Sequence, residues 1–111
     1  MKKFGLTEET ITTINDVFKR FPAIESVVVY GSRALGIEKP GSDIDLALKG
    51  QIDLNLLANI KRILDEELPL PYFFDLLDYN TISNPDLKKH IDQFGKLFYK
   101  KRRLYKNPNI A

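Results

Sequence analysis

Asp43 and Asp45 lie in the run Asp43-Ile44-Asp45-Leu46-Ala47-Leu48, and Asp75 interrupts Tyr72-Phe73-Phe74-Asp75-Leu76-Leu77. Aspartate is disfavoured in strands, and burying its charge is costly unless another group compensates it. Strand side chains alternate between faces, so Asp43 and Asp45 share one side while Ile44 and Leu46 take the other. If the run containing Asp75 is a neighbouring strand in register, all three carboxylates converge. Anions that close repel and push a proton onto at least one member, a conflict that Mg²⁺ removes with its preference for carboxylate oxygens. Gly31-Ser32 stands ten residues before Asp43, giving the spacing G-S-x10-D-x-D. A glycine after a buried strand permits a tight turn and close approach to a ligand. Free amides and the Ser32 hydroxyl would then face an anion. Together these residues point to metal-dependent chemistry on a nucleoside triphosphate.

Short elements must carry these groups. Thr7 can cap a helix over about 8–21, with Ile11, Ile14, Val17, Phe18 and Phe21 as its buried stripe. Ser26-Val27-Val28-Val29-Tyr30 is a β-branched strand running into Gly31, and 36–42 is loop. A second strand spans 43–49, and Asp53 caps a helix over about 54–67 that Pro69 and Pro71 stop. The third strand is 72–77, and a last helix runs over about 85–94 with Asn84 as its cap. Leu87, Ile91 and Phe94 mark that helix's inner face, and 96–100 forms a short edge strand. The order αβ(loop)βαβα(β) predicts an α/β (α+β) fold, a small mixed sheet with helices packed on it.

A chain of 111 residues, 43% apolar and 29% charged, has the size and composition of one globular domain. No apolar run approaches the ~20 residues of a membrane span, and the N-terminus lacks a signal-peptide core, so a cytoplasmic setting without membrane is expected. The absence of cysteine excludes disulfides and thiolate metal sites. A net charge of +2 does not by itself imply nucleic-acid binding. The domain is expected over 1–100, and 101–111 as a loose tail in a basic segment holding Lys100, Lys101, Arg102, Arg103 and Lys106.

Blander readings compete. Asp43 and Asp45 could lie on the solvated face of an edge strand, where alternating charge discourages aggregation. Asp78 falls at a strand end and reads as turn. The G-x4-G frame of Gly31 to Gly36 is not a P-loop, because Ile37 and Glu38 stand where Lys and Ser/Thr are required. His90 falls on the polar side of the last helix and reads as a surface residue. The basic run reads as solvated chain, with Tyr99 and Tyr105 as core or tail rather than stacking platforms.

The segments Gly31-Ser32-Arg33-Ala34-Leu35-Gly36 and Gly41-Ser42-Asp43-Ile44-Asp45-Leu46 resemble the minimal nucleotidyltransferases of the DNA polymerase β superfamily. These include antitoxin-type adenylyltransferases encoded beside HEPN-domain proteins. The likeness runs from Val27 to about Tyr99 and includes the segments around Asp75 and Asp92. It implies that Asp43, Asp45 and Asp75 bind two Mg²⁺ ions, and that Gly31 and Ser32 hold the β- and γ-phosphates of ATP. It also places Arg33 and Ser42 in the nucleotide site. Where many relatives carry a second basic residue this chain has Leu35, leaving Arg33 as the cation of that turn. The resemblance further implies a helical HEPN-type partner in a hetero-oligomer and transfer of AMP onto a partner hydroxyl. The competing expectation is an antitoxin or regulatory subunit that binds nucleotide or partner and acts by contact alone.

Overall fold

The computed structural model describes residues 2–102. The expected tail falls outside the described residues from Arg103 onward, Tyr105 and Lys106 included. The chain opens with an unforeseen hairpin of β1 (Lys2–Lys3) and β2 (Leu6–Thr7). Its two-residue turn has φ of 59° at Phe4 and 72° at Gly5, the double left-handed geometry that suits the twist of a tight hairpin.

Helix α1 (Glu8–Phe18) follows, capped by the Thr7 hydroxyl accepting from the Thr10 amide. It stops at Phe18, earlier than its apolar periodicity implied, and Phe21 reaches the core from the turn beyond. Strand β3 (Ile24–Tyr30) leads through Gly31 into the single turn α2 (Ser32–Leu35), and β4 (Ile44–Gly50) returns beside β3. Helix α3 (Leu54–Arg62) begins at the Asp53 cap and continues as a π turn over Ile63–Glu67 rather than as α-helix. That turn places both Ile63 and Leu64 inside, 6% and 1% exposed. Strand β5 (Phe74–Asp78), a 3₁₀ turn (Tyr79–Thr81), α4 (Pro85–Phe94) and β6 (Lys96–Lys100) complete the order. As expected, Asn84 caps α4, accepting from the amides of Asp86 and Leu87.

The sheet order is β5-β4-β3-β6, with β4 and β5 parallel and the other two pairings antiparallel. The parallel pair requires a crossover, which α3 supplies. One face of the sheet carries Val27, Val29, Ile44, Leu46, Leu48, Phe74, Leu76 and Phe98. They pack with Ile14, Val17 and Phe18 of α1, Ile60 of α3 and Leu64 of the π turn. The opposite face is covered less completely. There Tyr30 and Ala47 meet Ile91 of α4, with Val28, Leu77 and Leu87 at the margin. Ile91 is the buried anchor of α4, worth about 1.5–3 kcal/mol for a fully buried side chain of this size. Phe94, expected on the inner face, is 42% exposed. The result is a mixed sheet between helical layers, as the predicted α/β class requires. Among the described residues no helix is long and apolar enough to cross a membrane.

Candidate active site

The register of β4 and β5 sets Asp45 directly beside Asp75, while the antiparallel register of β3 and β4 sets Tyr30 on its other side. Asp43 precedes β4 on the same alternation as Asp45. All three aspartates thus belong to the face that α4 covers only in part. Asp45 is half-buried, whereas Asp43 and Asp75 are exposed. Burial, and then the negative charges of Asp75 and Asp43, raise the Asp45 carboxyl above the usual carboxylate range, with Arg33 opposing. Burial and the same acidic field, from Asp75 and Asp45, push the Tyr30 phenol well above its ordinary value.

Gly31 joins the second half of the site to these carboxylates. Its φ of 70° suits glycine, and a Cβ there would stand 2.5 Å from Asp45 Oδ2. The missing side chain lets the end of β3 lie against the carboxylate. The Gly31 carbonyl accepts from the amides of Ala34 and Leu35, both at 3.2 Å, closing the α2 turn. The Ser32 and Arg33 amides stand in that first turn, where helical geometry provides them no internal partner.

Arg33 departs from the expectation that it faces a phosphate. It is 3% exposed. Its Nη2 donates to Ser42 O at 2.7 Å, its Nη1 to Phe4 O at 2.9 Å, and its Nε to Ser42 O and Asp43 O, each at 3.3 Å. The guanidinium also lies 5.0 Å from the Tyr72 ring centre. It therefore ties the N-terminal hairpin to the loop before Asp43 and reaches the site through its field. Ser42 belongs to the same brace, with its hydroxyl accepting from the Lys39 amide at 2.9 Å. The physical reason is geometric. In a single turn of helix, the residue after Ser32 points away from the open end and toward the returning loop.

His90 departs from expectation in the other direction. Its Nε2 accepts the Gly31 amide at 3.0 Å, and its ring meets Tyr30 edge-on at 6.3 Å and Phe94 at 5.5 Å. No local sequence signal distinguishes it, because its partner lies 59 residues away.

Hard oxygen donors on adjacent strands, one of them half-buried and held above its usual proton affinity by burial and then by its acidic neighbours, are the donor chemistry that a divalent cation prefers. Among the described residues no group of three or more His, Cys, Asp or Glu side chains is gathered closely enough to hold an ion. Asp43, Asp45 and Asp75 thus share a face, with Asp45 and Asp75 in register, without forming a closed ligand set.

Residues 12–104 match the sequence model of the family described as polymerase beta, nucleotidyltransferase. Among curated proteins the chain finds no match. A solved toxin-antitoxin structure with AMP-PNP is similar at 21% identity and a TM-score of 0.66, over 87% of this chain and 76% of that one. An MntA-HepT toxin-antitoxin structure is similar at 17% identity and a TM-score of 0.64, over 86% and 74%. A tri-AMPylated Shewanella oneidensis HEPN toxin in complex with MNT antitoxin gives 18% identity and 0.63, over 85% and 72%. At such identities the likeness to these structures is one of fold. The family match spans most of the chain and contains the Gly-Ser turn and all three aspartates, so the chain belongs to the polymerase β nucleotidyltransferase family.

Proposed function

We propose that this chain is a metal-dependent nucleotidyltransferase that moves AMP from ATP onto a hydroxyl of a helical HEPN-type partner, neutralising it as an antitoxin. The observation that carries the reading is the in-register pairing of Asp45 with Asp75, beside a glycine whose absent side chain admits the Asp45 carboxylate. Asp43, Asp45 and Asp75 would hold Mg²⁺. When bound, the metal supplies charge neutralisation for the triphosphate and a lowered pKa for the acceptor hydroxyl. Ser32 and the amides of its turn orient the β- and γ-phosphates. The acceptor oxygen forms a bond to the α-phosphorus as the bond to pyrophosphate breaks, and the hydroxyl proton passes to solvent at the exposed rim near Asp75. Support for the nucleotide and the partner comes from the similar structures, one with AMP-PNP and one with an AMPylated HEPN toxin.

A second reading has an observation of its own. With Arg33 turned to carbonyls and Leu35 exposed, α2 directs no cationic side chain at a triphosphate. That favours an antitoxin acting by contact, with nucleotide bound weakly or not at all. One experiment separates the two. The chain is incubated with Mg²⁺, labelled ATP and its purified neighbour-encoded protein, then again as Asp43→Asn plus Asp45→Asn. Label transfer that disappears in the double variant supports the enzyme. Failure of the wild type to transfer label, with neutralisation intact in the variant, sinks it.

A further inference from the structure

We infer that His90 is a positioning residue for the nucleotide-binding turn, holding Gly31 through its Nε2 from α4, on the sheet face that carries the aspartates. The inference rests on the transferase reading above and adds a residue to it. Gly31 N–H lies one residue past the last β3–β4 pair, Tyr30 with Asp45, where the ladder offers it no further strand partner. His90 takes that amide at 3.0 Å. Gly31 is consequently held at both ends, its N–H by α4 and its carbonyl by α2.

The peptide that follows carries the Ser32 amide and leads to its hydroxyl, so its orientation decides where those donors point. A glycine is the residue least able to fix that orientation by itself. The Tyr30 and Phe94 rings confine the imidazole at 6.3 and 5.5 Å, and the neighbouring Ile91 is buried among Tyr30 and Ala47. The acceptor is therefore delivered by a seated helix rather than by a free side chain. An amide nitrogen can only donate, so Nε2 must carry the lone pair and Nδ1 the proton.

His90 is the single histidine of the chain, which makes the test clean. The full chain is prepared as wild type, His90→Leu, which removes the acceptor, and His90→Gln, whose side-chain oxygen can replace Nε2. Three quantities are read: the ¹⁵N shifts of the imidazole, hydrogen exchange at the Gly31 amide, and the Kd for Mg²⁺-ATP. The wild type should show the Nδ1–H tautomer and a protected Gly31 amide. In His90→Leu, exchange at Gly31 should accelerate and the Kd should rise roughly tenfold, the effect of losing about one hydrogen bond. His90→Gln should restore both to within about threefold, a rescue that general destabilisation would not produce. The reverse tautomer, unchanged Gly31 protection in His90→Leu, or equal impairment of the two variants overturns the role. Exchange that accelerates while the Kd stays at the wild-type value also overturns it, leaving the transferase reading in place. A wild type that neither binds nor transfers a nucleotide overturns both.

Discussion

Asp45 is the one aspartate of the three that is half-buried, and it lies in the field of the other two carboxylates. Replacing it by asparagine in metal-free protein should therefore raise stability. Neighbouring strands lie about 4.8 Å apart, so an in-register carboxylate pair is separated by roughly 5–6 Å. At that distance two unit charges repel by about 0.8 kcal/mol in water and about 3 kcal/mol at an effective dielectric of 20. Asp75 and Asp43 are exposed, which places the repulsion near the lower figure. Relief of about 1 kcal/mol corresponds to a melting temperature higher by about 4–8 °C in a domain of this size. The assay is calorimetric melting of wild type and Asp45→Asn in EDTA at low salt and in 1 M NaCl. High salt should remove the repulsive part of the gain and leave the part due to burial. The pH dependence has a definite sign. The Asp45 carboxyl is raised in the folded state, so its stabilising contribution is fully present below the ordinary aspartate value. That contribution is lost as pH rises through the folded-state value. The advantage of Asp45→Asn should thus vanish in acid and grow toward neutrality, and Mg²⁺ should stabilise the wild type but not the variant. A variant that melts at or below the wild-type temperature in EDTA at pH 7 would refute the repulsion argument and give Asp45 a structural hydrogen-bonding role.

Two further outcomes are expected. Arg33→Ala should destabilise the fold by about 2–4 kcal/mol in urea unfolding, because the carbonyls of Phe4, Ser42 and Asp43 lose a buried charged donor. If Arg33 instead served only as a phosphate ligand, stability would hold and the KM for ATP alone would rise. Gly31→Ala should cost about 1–3 kcal/mol from its positive φ, with more from the 2.5 Å approach to Asp45 Oδ2, and should abolish nucleotide transfer. A folded, active alanine variant would remove the glycine from the site.

What the sequence made legible was local. Thr7, Asp53 and Asn84 announce their helices because each satisfies amides only two or three residues ahead. The aspartates stand out because a charge inside an apolar strand contradicts its surroundings, and period-two alternation then sorts their faces. The contacts of Arg33 and His90 escape a local reading for a common reason. The partners that define them, Phe4 in the N-terminal hairpin and Gly31 at the end of β3, are tertiary neighbours without a signature in spacing. The N-terminal hairpin was hidden by its brevity, and the π turn by an apolar pattern that suits ordinary helix over the same residues.

The placement of β6 next to β3 has a consequence for how the chain is made. Strand β3 emerges early from the ribosome and can pair with β4 soon afterwards, but its other edge stays open until β6 has followed. During that interval a row of unpaired amides and carbonyls along Val27, Val28 and Val29 is exposed to other nascent chains. Such an edge templates aggregation, so β6, the last of the described strands, also acts as a protective cover for β3.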